Sequence, residues 1–301
     1  MADILSDVLA LVDATSHLSV GLVTGGDWSV RIDHFDGLKF NAVIRGKAWL
    51  AVDGIEDPIP MVEGDCFILT RSIGFTLASD LSLEATPASV AFADQEGNIA
   101  RFGAKDDFLV LGGKMTIDEA AAGLLADVLP SVIHVSAGST LASDLRWLIE
   151  KLVREVSDAR PGSRSLPSHL MHLMFVEGIR SCLSETKGIN SGWVGALHDP
   201  RIGRVLEAMH SDPARRWSLP DLASIAGMSR ANLALRFKKL VGTSPLEYLA
   251  SWRMQLASRE LRHTKAAISR VAERLGFSSE SAFSATFKRH FGHTPTAHRA
   301  E

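Results

Sequence analysis

The chain has 301 residues, 46 % of them apolar, which is enough for two domains with separate cores and excludes disorder as the overall state. Its net charge of −3 is unevenly divided: 15 Lys+Arg stand against 26 Asp+Glu up to Val194, and 17 against 9 thereafter, so an acidic body precedes a basic module suited to a polyanion such as nucleic acid. No run of 18 apolar residues occurs, and Asp3, Asp7 and Asp13 stand where a secretory signal carries Lys or Arg, so no membrane span or leader is expected and the protein should be cytoplasmic.

In chain order, the first patterned region runs from Trp28 to about Phe92. Trp28-Ser-Val-Arg-Ile, Lys39-Phe-Asn-Ala-Val-Ile, Lys47-Ala-Trp-Leu-Ala-Val and Cys66-Phe-Ile-Leu-Thr read as strands. Asp36-Gly37, Arg45-Gly46 and Asp53-Gly54 supply the turns, and such regular spacing favours a small barrel or sandwich. Cys66 and Cys182 match no ligand spacing and read as ordinary thiols of a reducing compartment. Between Leu18 and Ile133 the only histidine is His34. A metal site from His34, Glu63 and Asp65 is conceivable, but a surface or turn role for each fits better, so no cofactor or metal is expected and the barrel reads as a small-molecule-binding or structural domain. His134, beside Val132-Ile133, reads as a core or edge residue, and His169 and His172 lack a third ligand nearby.

After Ser139 the period changes. Leu141, Leu145, Leu148, Leu152 and Val156 share a helical face, and a second apolar helix spans about Leu166 to Leu183, with a turn at Ala159–Ser165 between them. This hairpin could pair two subunits or pack back on the barrel. Lys187-Gly-Ile-Asn-Ser-Gly-Trp reads as a linker.

The C-terminal third contains an internal repeat. Leu222-Ala-Ser-Ile-Ala-Gly-Met-Ser corresponds to Val271-Ala-Glu-Arg-Leu-Gly-Phe-Ser, and Phe237-Lys-Lys-Leu-Val-Gly-Thr-Ser-Pro to Phe287-Lys-Arg-His-Phe-Gly-His-Thr-Pro. Each half reads as a helix, a tight turn at Gly227 or Gly276, and a second helix capped by Ser229 or by Ser278/Ser279. Leu233, Phe237 and Leu240 should be buried in the first unit, and Phe283, Phe287 and Phe291 in the second. Lys238, Lys239, Lys288 and Arg289 then point outward, towards backbone phosphates. Ser244-Pro-Leu-Glu is a capping box with Pro at the first helical position, opening a long helix through Trp252, Leu256 and Leu261 that joins the units.

With Ala-Gly-Met-Ser, Trp252-Arg-Met and Leu275-Gly-Phe-Ser-Ser-Glu-Ser-Ala-Phe, this segment resembles the DNA-binding domain of the AraC/XylS family of transcription regulators. The resemblance implies two recognition helices entering successive major-groove segments. The N-terminal part is similar to the cupin-like sensor domain of one branch of that family, through Arg45-Gly46-x-Ala48-Trp49, Glu63-Gly64-Asp65 and the hairpin; Asn41 and Phe75 stand where related sensor domains often carry His. The fold class so implied is α+β multidomain: a cupin-like ligand-sensing β-barrel (1–138), a helical hairpin that could dimerise (139–186), a linker (187–200) and an all-α domain with two helix-turn-helix units (201–301).

One departure from the family matters for readout. Most members carry Arg two residues before each core Phe, placed to bond guanine, whereas this chain has Leu235 and Ala285. Base contacts in unit one would then fall to Arg230, Asn232, Ala231, Ala234 and Leu235, behind the cap Ser229; in unit two they would fall to Glu280, Ser281 and Ser284, with Ala285, behind Ser279. The implied partners are promoter DNA, an unidentified small-molecule effector, a second copy of the chain and, for an activator, RNA polymerase. A cupin-type enzyme with an accessory DNA module and a DNA-bridging protein without promoter specificity are the competing classes.

Overall fold

The structure is a computed structural model that describes residues 4–12, 15–117, 129–139, 142–157, 165–184, 195–196 and 198–300. The expected turn at Ala159–Ser165, apart from Ser165 itself, the linker segment Lys187–Trp193, and Leu141 lie outside the described residues. The chain divides into two compact units, one β-rich and one helical.

Helix α1 (Ile4–Val12) opens the described chain, and strands follow: β1 (Thr15–Leu18), β2 (Gly21–Thr24), β3 (Ser29–Ile32), β4 (Leu38–Arg45), β5 (Lys47–Val52), β6 (Ile59–Val62), β7 (Cys66–Leu69), β8 (Phe75–Ala78) and β9 (Thr86–Pro87). The short helix α2 (Ala88–Ala91) leads to β10 (Gln95–Glu96), β11 (Ile99–Phe102), β12 (Phe108–Thr116) and β13 (Val132–Val135). The four segments read as strands are β3, β4, β5 and β7, and the expected turn glycines Gly37, Gly46 and Gly54 all have positive φ.

These strands form two sheets, ordered β10-β11-β2-β12-β4-β7-β13 with β1 added beside β12, and β6-β5-β8-β3-β9. Between them lies a core that includes Trp28, Val43, Leu50, Met61, Phe67, Phe75 and Phe108. Trp28 and Phe108 approach to 4.7 Å between ring centroids. Residues alternate between the faces of a strand, so in β4 Leu38, Phe40 and Ala42 face one way and Lys39, Asn41 and Val43 the other, towards the interior between the sheets.

Helices α3 (Ala142–Ser157) and α4 (Leu166–Ser184) are the expected hairpin helices. Leu145, Leu148 and Leu152 are buried on the predicted face of α3. Helix α4 packs on β1, β7 and β13, and its Met171 and Phe175 line a small cavity together with Leu38 and Phe40 of β4. Gly178 makes this approach close, because a Cβ there would collide with the Ile68 side chain.

The helical unit contains α5 (Pro200–Ser211), α6 (Leu219–Ala226), α7 (Arg230–Val241), α8 (Pro245–His263), α9 (Ile268–Arg274), α10 (Glu280–Phe291) and α11 (Pro295–Ala300). Helix α1 clusters with this unit: its Ile4, Val8 and Leu11 are buried, and it packs on α5 and α8. Asp7 on α1 meets His210 Nδ1 at 3.3 Å; His210 Nε2 lies 2.8 Å from the Tyr248 hydroxyl, and the imidazole stacks on Trp252 at 4.0 Å. Burial drives the His210 pKa down to about 4, and Asp7 opposes that shift.

Candidate nucleic-acid interface

The first helix-turn-helix unit is α6 and α7. Ser218 opens α6 in a capping box with Asp221, and Gly227 ends it at φ +60°, the left-handed conformation that a residue without Cβ adopts at low cost. Ser229 then caps α7, its hydroxyl accepting from the Asn232 N–H at 3.3 Å. Leu233 and Phe237 are fully buried, and Leu240 half-buried. Arg230, Ala231, Asn232, Leu235, Lys238 and Lys239 are exposed, with Ala234 half-buried.

The second unit, α9 and α10, repeats this construction. Gly276 has φ +77°, and a Cβ there would collide with the Ala214 carbonyl, so both backbone conformation and space require glycine. Of the two expected caps, Ser279 is the one used: its hydroxyl accepts from the Ala282 N–H at 3.2 Å. Phe283 and Phe287 are fully buried, packed with Met254, Ala257 and Leu261 of α8. Phe291 is half-buried, its ring tilted against that of Phe287 with 4.6 Å between centroids. Glu280, Ser281, Ala285, Lys288 and Arg289 are exposed and Ser284 half-buried. The linking helix α8 begins with the expected Ser244–Glu247 capping box and Pro245 in its first turn.

Leu235 is the outstanding surface residue of α7. It is 73 % exposed in mid-helix, with the exposed cations Arg236, Lys238 and Lys239 following it. The nearby Arg236, which the sequence reading passed over, is committed elsewhere. Its guanidinium pairs with Asp199, whose carboxylate also accepts from the Arg201 and Ile202 N–H groups at the start of α5. Burial works against ionisation of Asp199, but the Ile202 N–H, Arg236 and the Arg201 N–H outweigh it and hold the carboxyl below its usual range. The Ser218–Asp221 capping box was also missed, although its Ser-x-x-Asp spacing was readable; nothing in the spacing points to the Arg236–Asp199 pair.

The cupin family matches residues 3–184, and the helix-turn-helix domain family matches residues 222–301. An AraC-like transcription regulator of Streptomyces lividans is 43 % identical over 99 % of this chain and 98 % of that protein. The chain belongs to the AraC-like transcription regulators. A second such regulator, from Streptomyces antibioticus, is 42 % identical over the same shares. Among solved structures, the DNA-binding domain of AdpA, a global transcriptional factor, in complex with a target DNA, is 34 % identical over 34 % of this chain and 90 % of that one, with a TM-score of 0.32. As an AraC-like regulator the chain combines a cupin-like β-rich domain with a helix-turn-helix domain that binds DNA.

The barrel of this regulator does not gather the conceivable metal ligands. The Asp65 carboxylate accepts from the Val62 and Ala137 N–H groups at 2.9 and 2.8 Å and lies 3.3 Å from His134 Nε2. His34 instead lines a cavity between the sheets, while Glu63 lines a separate groove beside α3. Among the described residues, no group of three His, Cys, Asp or Glu could hold an ion, and no helix is long and apolar enough to cross a membrane. Cys66 is buried, and burial followed by the neighbouring Asp65 pushes its thiol pKa up, away from reactivity.

Proposed function

We propose that this AraC-like regulator is a cytoplasmic, non-catalytic protein that reads promoter DNA with α7 and α10 under the control of a small molecule bound in its barrel. Ser229, Arg230, Ala231, Asn232, Ala234 and Leu235 address bases from the first unit, and Ser279, Glu280, Ser281, Ser284 and Ala285 from the second. Lys238 and Lys239, with Lys288 and Arg289, anchor the phosphates. The observation that carries this assignment is the matched pattern of burial: Leu233/Phe237 and Phe283/Phe287 are wholly buried, which leaves the corresponding face of each capped helix exposed. Leu235 suits apolar contact with a thymine methyl, whereas Arg236 stays tied to Asp199.

The hairpin carries exposed Trp147 and Leu173, which supports its use in a homodimer, and an activating member of the family would also contact RNA polymerase. Genome-wide occupancy mapping followed by titration of the full-length protein onto the mapped promoters tests the assignment. Promoter fragments should outcompete random duplex, and affinity should fall by roughly 10³ to 10⁵ between about 50 and 200 mM salt if six to ten phosphates are contacted. Equal affinity for promoter and random DNA would refute sequence-specific regulation.

A further inference from the structure

The cavity between the two sheets has a volume of about 230 Å³ and an apolar wall that includes Val30, Ile32, Phe75, Leu77, Phe92 and Val110. Two polar side chains of β4 break this wall. Lys39 and Asn41 are two residues apart, so they share the inward face of the strand with roughly 7 Å between their backbone positions. Asn41 is only 4 % exposed, and its amide nitrogen has no hydrogen-bond partner. Opposite it on β12 stands Gly112, where a Cβ would crowd the Asn41 side-chain oxygen, so glycine keeps this end of the cavity open.

The Lys39 side chain makes no ion pair or hydrogen bond among the described residues. Its neighbour across the ladder is another cation, Lys114, whose own charge is matched by Asp36 at 2.9 Å. Burial, and then repulsion from Lys114, push the Lys39 pKa down, which marks an ammonium group short of a counter-charge. A buried amide donor without a partner and a half-buried cation without a counter-charge are both costly, and one planar anion would satisfy both.

We propose that the cavity binds a small, mostly apolar monocarboxylate, its carboxylate accepting from the Lys39 ammonium and the Asn41 amide while its hydrocarbon part fills the space among Val30, Phe75, Leu77 and Phe92. The proposal rests on the reading of the barrel as an effector domain and names the chemical class of the effector. One cation and one neutral donor on β4 suit a monoanion, and Ser19 and His34 complete the polar part of the wall. The volume lies below the range of about 300 to 1,000 Å³ typical of sites for drug-sized ligands, so the occupant has one ring or a short chain.

Calorimetric titration of the full-length protein with 3-phenylpropanoate, hexanoate and the uncharged 3-phenylpropanamide tests this class. The carboxylates should bind about tenfold or more tightly than the amide, the difference expected for a hydrogen bond to a charged group. Lys39→Met should erase that preference while leaving the melting temperature unchanged or higher, and Asn41→Leu should weaken the carboxylates alone. Because a Met at this site could shift the packing, Lys39→Gln serves as a second variant that keeps a polar group. Equal binding of acid and amide, retention of the preference in both Lys39 variants, or no binding by any of the three compounds would overturn the proposal. Promoter affinity measured with and without the bound carboxylate is read separately. Binding as described with no change in promoter affinity would leave the ligand class standing and refute control by it, whereas control by the amide alone would do the reverse.

Discussion

Replacing Leu235 with Arg separates base readout from phosphate anchoring. Leu235 is 73 % exposed, so the substitution removes little buried surface and should leave folding intact. The new guanidinium would not pair with Asp199, which already holds Arg236 and two backbone N–H groups, and its neighbours Lys238 and Lys239 offer no counter-charge. It is therefore free to meet DNA. If Leu235 faces base edges, a bidentate contact to guanine contributes about 1 to 3 kcal/mol of discrimination, roughly a five- to 150-fold change in the preference for guanine at one position. If it faces the backbone instead, affinity for all duplexes rises together and the slope of log K against log salt steepens by about 0.9. Selection from a randomised site, with salt titration of the selected and a scrambled duplex, distinguishes the two cases. Wild-type site preference combined with the steeper slope would refute the face assigned to α7, and the matching Ala285→Arg variant tests α10 by the same criterion.

Two further outcomes concern stability. Phe237 and Phe287 are fully buried, so truncating either to Ala should cost about 3 to 5 kcal/mol and melt its own helix-turn-helix unit, as followed by circular dichroism and loss of DNA binding; wild-type melting would show that the core face is wrong. His210 has a folded pKa of about 4 against an ordinary 6.5, so the stability conferred by its neutral form is complete above about pH 6.5 and is lost as the pH falls towards 4, because the unfolded chain takes up a proton that the folded chain refuses. The full loss is on the order of 3 kcal/mol. Thermal melts at about pH 7.5 and 5 should therefore differ more for the wild type than for His210→Gln, and equal differences would refute the linkage.

Features whose causes lie within a few residues were legible in the amino-acid sequence. The strands β3, β4, β5 and β7, the glycines with positive φ, the seryl caps, the Ser244–Glu247 box and the buried Phe237, Phe283 and Phe287 are each set by backbone sterics or by a helical or strand period, and each appears at its predicted place, whereas Phe291 is only half-buried. The repeat was readable because the same steric solution occurs twice. The packing of α1 on α5 and α8 was not legible in the chain, since an amphipathic helix declares an apolar face but not the surface that will cover it. The Asp7–His210 contact spans 203 residues and the Arg236–Asp199 pair spans 37. Likewise, Lys39 read from the sequence is a strand residue like any other; its cavity, its unpaired neighbour Asn41 and its lack of a counter-charge depend on how two sheets close over one another. Local periods set which face of an element is buried, but contact partners across long separations follow from packing, where chain entropy and the available surface together select the mate.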